Sequence, residues 1–212
     1  FHPHGEHTLL GSLQQHGHQA EDITDVLLTH LHFDHVGGAV RYNEAGQLTP
    51  TFPNATYWTN EPHYNWAYYP NPRERASFLK ENFVPLKDAG QLQFLDVQKD
   101  DLPWLPGIHI RFVYGHTEAM MAPIFKQGDT TLIYCADVIP SSFHLGMPYV
   151  MSYDLQPLRT MEEKGRILED AIEKNHYLFF EHDPATACIS LQRDDRGRIR
   201  KKEEVDVEKL FG

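Results

Sequence analysis

Apolar positions recur along the chain in short groups of differing period, and the pattern predicts alternating helices and strands. Over residues 8–16, Leu9, Leu10 and Leu13 share one helical face, and Gly17 is placed to end the helix. After the acidic "AED", the apolar run "ITDVLLT" reads as a buried strand leading into His30. The glycines of "VGGAV" then permit a tight turn into a short helix. Residues 50–84 are rich in Pro, Asn, Tyr and Trp, with helices expected over 61–68 and 72–83. Asn71, Pro72 and Glu74 supply a cap, a first-turn proline and an N3 acid for the second of these. Strands are expected at 92–95, 108–113, 122–126 and 132–136. Thr160 and Glu163 make a capping box that opens a helix to about Asn175. "YLFFEHD" reads as a strand ending at His182, and "TACISLQ" and "RIRKKEEV" as two closing strands. Such alternation, with antiparallel pairs, predicts an α/β protein whose site lies at strand ends.

Composition narrows the class. At 212 residues, 41% hydrophobic and 23% charged, the chain fits one globular domain spanning 1–212. No apolar run approaches the ~20 residues of a spanning helix, so no membrane partner is expected. Cys135 and Cys188 are too few for a disulfide framework, and Cys135 reads as a small buried hydrophobe. A net charge of −11 argues against a nucleic-acid surface. The basic "RGRIRKK" is followed at once by "EEVDVE" and reads as a solvated strand edge. "FHPHGEHTLL" is no secretory signal. A cytoplasmic location is favoured, with a leader lost upstream of Phe1 left open.

Histidine is the unusual entry, with 14 copies, and its placement carries the chemistry. "THLHFDH" puts His30, His32, Asp34 and His35 just beyond a predicted strand. His30 and His32, two apart in an extended segment, project to one side and reach a single ion, while Asp34 and His35 turn onward towards a second. Four residues do not complete two sites. His116 in "YGHTEA", Asp137 in "YCADVIP" and His182 in "FFEHDP" each close a predicted strand and supply the rest. Counting donors assigns His30, His32 and His116 to one metal and Asp34, His35 and His182 to the other, with Asp137 bridging. Two such ions can share a hydroxide that is nucleophilic at neutral pH, and Asp34 is placed as the catalytic proton carrier. The expected cofactors are two divalent ions, zinc foremost, with iron and manganese also fitting the donors.

The residues "THLHFDHVGG", "GHT", "AD" and "EHD", in that order from 26 to 183, resemble the metallo-β-lactamase-fold hydrolase superfamily. The resemblance implies a four-layer αβ/βα sandwich with a dinuclear site at its open edge. It is similar to the branch holding glyoxalase II, N-acyl-homoserine lactonases and methyl parathion hydrolase. True β-lactamases usually lack the bridging aspartate and place a cysteine among the ligands, a position that Cys135 does not match. The family normally has several strands ahead of the helix that precedes the histidine cluster. This chain starts at about that helix, so the domain is expected to be N-terminally incomplete, with a further segment ahead of Phe1 in the physiological protein.

The function expected is hydrolysis of a small ester or lactone by a metal-bridging hydroxide, with phosphotriesters as a side activity of the same site. The alternatives are an iron-dependent oxygen or sulfur oxidoreductase with the same ligands, and a glyoxalase II-like thioesterase. No basic cluster suits an anionic glutathione thioester, which weakens the last. A metal-bound or metal-free scaffold without catalysis, a partner-binding module, is a third reading. His144, Tyr149 and Trp66 are candidate substrate contacts. The aromatics Trp58, Tyr64, Trp66, Tyr68 and Tyr69 fit either core packing or a lid over an apolar pocket. His2, His4, His7, His16 and His18 read as a solvated start, and His63, His109 and His176 as ordinary surface or partly buried residues. The partner expected is a small-molecule substrate, with a homodimer left open.

Overall fold

The computed structural model describes residues 8–211, so the expectations for His2, His4 and His7 lie outside the described residues. The chain divides into two compact units, Phe1–Asp96 and Val97–Gly212.

In the first unit, α1 (Leu9–Gln15) is capped by Thr8, whose hydroxyl accepts from the Gly11 N–H at 3.0 Å. Gly17 follows at φ 83°, a conformation that side chains resist, and the helix stops as expected. Then come β1 (Asp25–Leu27), α2 (Phe33–Val36), β2 (Val40–Tyr42), β3 (Leu48–Pro50) and β4 (Thr56–Thr59). The unit ends with α3 (Glu61–Tyr68), α4 (Val84–Asp88) and β5 (Leu92–Phe94). β1, β4 and β5 form a parallel sheet in the order β1-β4-β5, and β2 and β3 form a separate hairpin. Parallel strands send their carboxyl ends the same way, so the loops after β1 and β4 emerge together. Leu31, Val36, Tyr57, Phe83 and Leu86 fill the core of this unit. The Tyr57 hydroxyl, fully buried, accepts from Phe52 N–H at 2.9 Å and donates to the Ala39 carbonyl at 3.2 Å.

The helix expected over 72–83 does not form. Asn71 does cap, its Oδ1 accepting from the N–H groups of Arg73 (2.9 Å) and Glu74 (3.1 Å). The Glu74 carboxylate, however, turns into the interior, and the Ser77 carbonyl accepts from Phe33 N–H at 2.8 Å. Turns therefore replace the ladder until a single 3₁₀ turn at Lys80–Asn82. In the aromatic run, Tyr64 is buried, edge-on to Phe83 at 5.7 Å, whereas Tyr69 stays exposed.

The second unit opens with β6 (Leu102–Leu105), β7 (Ile108–Val113), β8 (Met120–Gln127) and β9 (Thr130–Tyr134). The long helix α5 (Pro157–Lys174) crosses over to β10 (Tyr177–Phe179), and β11 (Cys188–Arg193), β12 (Ile199–Glu204) and α6 (Val207–Phe211) finish the chain. The seven strands lie in the order β12-β11-β10-β9-β8-β7-β6, so "RIRKKEE" is indeed an edge. Only β9 and β10 pair in parallel; every other neighbour is antiparallel. β7, β9 and β10 consequently point the same way and end at the same margin of the sheet. Met120, Ile133, Cys135, Ile139, Ile167 and Leu178 form the core, with Cys135 packed as expected.

Thr160 does not open α5. The helix begins at Pro157, where the proline ring suits a first-turn position whose N–H would go unused, and Asn175 closes it in the left-handed conformation at φ 54°. The Glu163 side chain reaches away from the helix instead of capping it, and its carboxylate accepts from Tyr114 N–H and Gly115 N–H at 2.9 Å. Among the described residues no helix is long and apolar enough to cross a membrane.

Candidate functional site

Each unit carries its own set of donor side chains at strand ends. In the first, the loop after β1 bears His30, His32 and His35, and α2 starts earlier than the glycines suggest, taking Asp34 and His35 into its first turn. The His30 ring centroid lies 4.7 Å from that of His32 and 3.9 Å from that of His35. His30 and His32 are buried, and each offers a ring nitrogen within 4.8 Å of the other. Asp34 faces outwards, its Oδ2 at 3.8 Å from His35 Nε2.

Two buried side chains brace this loop. Glu74, 3% exposed, stands with Oε1 3.3 Å from His32 Nε2 and accepts from the Trp66 indole (2.7 Å) and the Asn71 amide (2.6 Å). A neutral His32 that donates from Nε2 carries its lone pair at Nδ1. His63, fully buried at the start of α3, accepts from Leu31 N–H through Nε2 at 2.8 Å. That corrects its reading as an ordinary surface or partly buried residue. The reason is topological: His63 follows β4 as His30 follows β1, and the parallel pairing sets the two loops side by side.

In the second unit, Asp137 is 3% exposed and lies between two imidazoles. Its Oδ2 is 3.1 Å from His116 Nε2 and its Oδ1 is 3.2 Å from His182 Nε2. The sheet explains the meeting. Tyr134 pairs with Phe179 across β9 and β10, and Asp137 and His182 each lie three residues beyond that pair. His116 sits in the connection between β7 and β8 at the same margin. Ala136, beside Asp137, adopts φ 44°, a left-handed conformation that costs roughly 1–2 kcal/mol for a residue with a Cβ. Such strain concentrates where a side chain must be aimed.

His116 is held from both sides. Its Nδ1 meets Asp154 Oδ1 at 2.9 Å while its Nε2 faces Asp137. Burial opposes its charge, but the hydrogen bonds to Asp137 and Asp154 prevail and raise its pKa from 6.5 to about 9. A carboxylate on the far nitrogen of a histidine is the usual companion of a metal ligand, because it fixes the tautomer and strengthens the donor. Gly115 allows this loop to sit flat against α5, since a Cβ there would stand 2.3 Å from Thr160 N.

The loop after Asp137 carries His144 and Tyr149. His144 is half-buried, its Nδ1 2.8 Å from Ser141 Oγ; burial and the Lys164 charge hold its imidazole below the ordinary range. Tyr149 is exposed. Lys164, on α5, is completely buried, and its ammonium donates to the carbonyls of His144 (3.1 Å), Gly146 (2.9 Å) and Tyr149 (2.6 Å).

These donor sets suit a divalent cation. Two ligands at ~2.1 Å in tetrahedral array lie roughly 3.4 Å apart, close to the Asp137 separations. The ligand atoms of Asp137, Glu181 and His182 also lie within 4.8 Å of one another. Glu74, His63, Asp154, Glu163, Lys164 and Glu181 were given no part in the site from the sequence. Only Glu181, beside His182 in "EHD", had a local signal.

The sequence profile described as the metallo-beta-lactamase superfamily matches residues 3–176. This chain belongs to that superfamily. Curated relatives of this metallo-beta-lactamase chain include the N-acyl homoserine lactonase of Bacillus cereus, 23% identical over 181 residues, 84% of this chain. The lactonase AiiA of Bacillus thuringiensis subsp. kurstaki is 22% identical over the same extent. The chain spans 63% of the length of either relative. Among solved structures, a probable metal-dependent hydrolase from Staphylococcus aureus superposes with TM-score 0.79 at 22% identity, over 95% of this chain and 70% of that one. AidC, a dizinc quorum-quenching lactonase with a product bound, gives 0.76 at 23% identity, over 93% and 70%. At such identities the likeness shows the metallo-beta-lactamase fold.

Proposed function

We propose that the protein is a dinuclear metal-dependent hydrolase that opens a small ester or lactone, and that phosphotriesters are accepted by the same site. The observation that carries this reading is Asp137, a buried carboxylate with one imidazole at each oxygen. A structural salt bridge needs one partner; a bridging ligand uses both oxygens. In this reading His30, His32 and His116 hold one ion, Asp34, His35 and His182 hold the other, and Asp137 joins them. Zinc is the first choice, supported by the dizinc lactonase among similar structures.

The ions, when bound, supply Lewis acidity that acidifies water and polarises a carbonyl oxygen. The protein's own groups do the rest. Asp154 and Glu74 hold His116 and His32 in a single tautomer. The exposed carboxylate of Asp34 takes a proton from the attacking water and returns it to the departing alkoxide. His144 and Tyr149, on the loop clamped by Lys164, contact the substrate, and Trp66 acts by holding Glu74.

Steady-state assays of the zinc-loaded protein on a panel of lactones, aryl esters and phosphotriesters test the proposal, with elemental analysis alongside. Lactone or ester turnover is expected, with two metal equivalents. Asp34→Asn and His116→Ala should each lower it by orders of magnitude while circular dichroism stays unchanged. Equal rates for wild type and both variants would leave only a metal-bound scaffold.

A further inference from the structure

The proposed ligand set leaves one carboxylate without a role. Glu181 directly precedes His182, and one of its oxygens lies within 4.8 Å of the ligand atoms of both Asp137 and His182. Consecutive residues of a strand point to opposite faces, so the neighbour of a ligand ordinarily faces away from it. Here β10 has already ended at Phe179, and the chain bends at 181–182. His182 N–H donates to the Pro140 carbonyl at 3.1 Å, which fixes the bend, and both side chains turn towards Asp137. Just beyond it, Asp183 accepts from Ser142 N–H at 3.0 Å and from Thr186 N–H at 2.8 Å, closing the turn.

Glu181 is also held. The Tyr134 hydroxyl donates to its Oε2. Tyr134 is itself placed by the parallel pairing of β9 with β10, and its ring stacks on Phe179 at 5.5 Å with an 18° tilt. A flexible surface glutamate would need none of this support.

We propose that Glu181 is a further ligand of the ion assigned above to Asp137 and His182, positioned by Tyr134. This rests on the dinuclear reading and extends it. The ion gains a third carboxylate besides Asp34 and Asp137, whereas its partner has three imidazoles and the shared Asp137. The two positions are therefore chemically unequal. Oxygen-rich donors suit harder cations, so the Glu181 position tolerates manganese better than the imidazole-rich one does.

Titrating the metal-stripped protein with Zn²⁺ and with Mn²⁺ in chelator competition tests this, for wild type, Glu181→Gln and Tyr134→Phe. A visible spectrum of each after Co²⁺ loading completes the set. Wild type is expected to take two equivalents. Glu181→Gln should weaken one of them by about tenfold or more, manganese more than zinc, and should shift the cobalt bands. Tyr134→Phe should act in the same direction by less, and it serves alone if Glu181→Gln fails to fold. Two equivalents bound equally well by all three proteins, or an equal loss for both metals with unchanged cobalt bands, overturns the Glu181 role alone. A wild type that binds neither metal overturns the dinuclear reading and the Glu181 role together.

Discussion

Asp154 Oδ1 lies 2.9 Å from His116 Nδ1, and both groups are buried. The contact leaves Nε2 as the nitrogen facing Asp137. Replacing Asp154 by Asn keeps the shape and removes the charge that makes His116 a strong donor. Asp154→Asn is expected to lower metal affinity by about 10–100-fold. Chelator competition measures it, and circular dichroism should show the fold retained.

Glu74 is the corresponding support in the first unit, gathering His32, Trp66 and Asn71 around one buried carboxylate. Glu74→Ala strands those donors, and each buried group left unsatisfied costs about 1–3 kcal/mol. A loss of roughly 2–3 kcal/mol in urea unfolding is expected, with weaker metal uptake, while Glu74→Gln should recover part of both.

Gly115 makes a purely steric prediction. A methyl group there meets the backbone and hydroxyl of Thr160 at 2.3 Å, and neither is a flexible chain end. Gly115→Ala should destabilise the protein by about 1–3 kcal/mol and displace His116, seen as a lower melting temperature together with reduced metal affinity.

Lys164 predicts a pH dependence. Burial pulls its pKa from 10.5 down to about 8, against the pull of the Asp154 charge. Between those values the unfolded chain binds a proton that the folded chain has released, so stability rises with pH across the window. It is lost again as pH falls through 8. Relative to Lys164→Met, wild type should gain stability from about pH 8 to about pH 10.5, at no more than about 1.4 kcal/mol per pH unit. Denaturation midpoints at a series of pH values check the slope.

The elements that were legible in the sequence are those whose own residues decide them. Ile108–Val113 and Glu61–Tyr68 form where local pattern places them, the first a run rich in β-branched and aromatic residues, the second opened by the Asn60 cap. Histidine spacing likewise marked His30, His32 and His35, which the fold brings into ring contact. The misreadings arose where a side chain answers to a distant partner. Glu74 and Glu163 both occupy the third position of a capping pattern, yet one turns to His32 and the other to the Tyr114 and Gly115 amides. Asp154 and Lys164 are similar cases, for their partners lie 38 residues and 15–20 residues away. The short strand Thr56–Thr59 escaped notice because its neighbours are prolines, asparagines and aromatics, and pairing with β1 and β5 alone makes it a strand.

The shared register of Tyr134 with Phe179 has a consequence for how this protein can vary. Asp137 and His182 are placed by one strand pair, so their opposition is set by that register and not by the length of chain between them. A single residue inserted between 134 and 137, or between 179 and 182, would slide one donor past the other. Tolerance to length change should therefore be lowest in those two tripeptide steps.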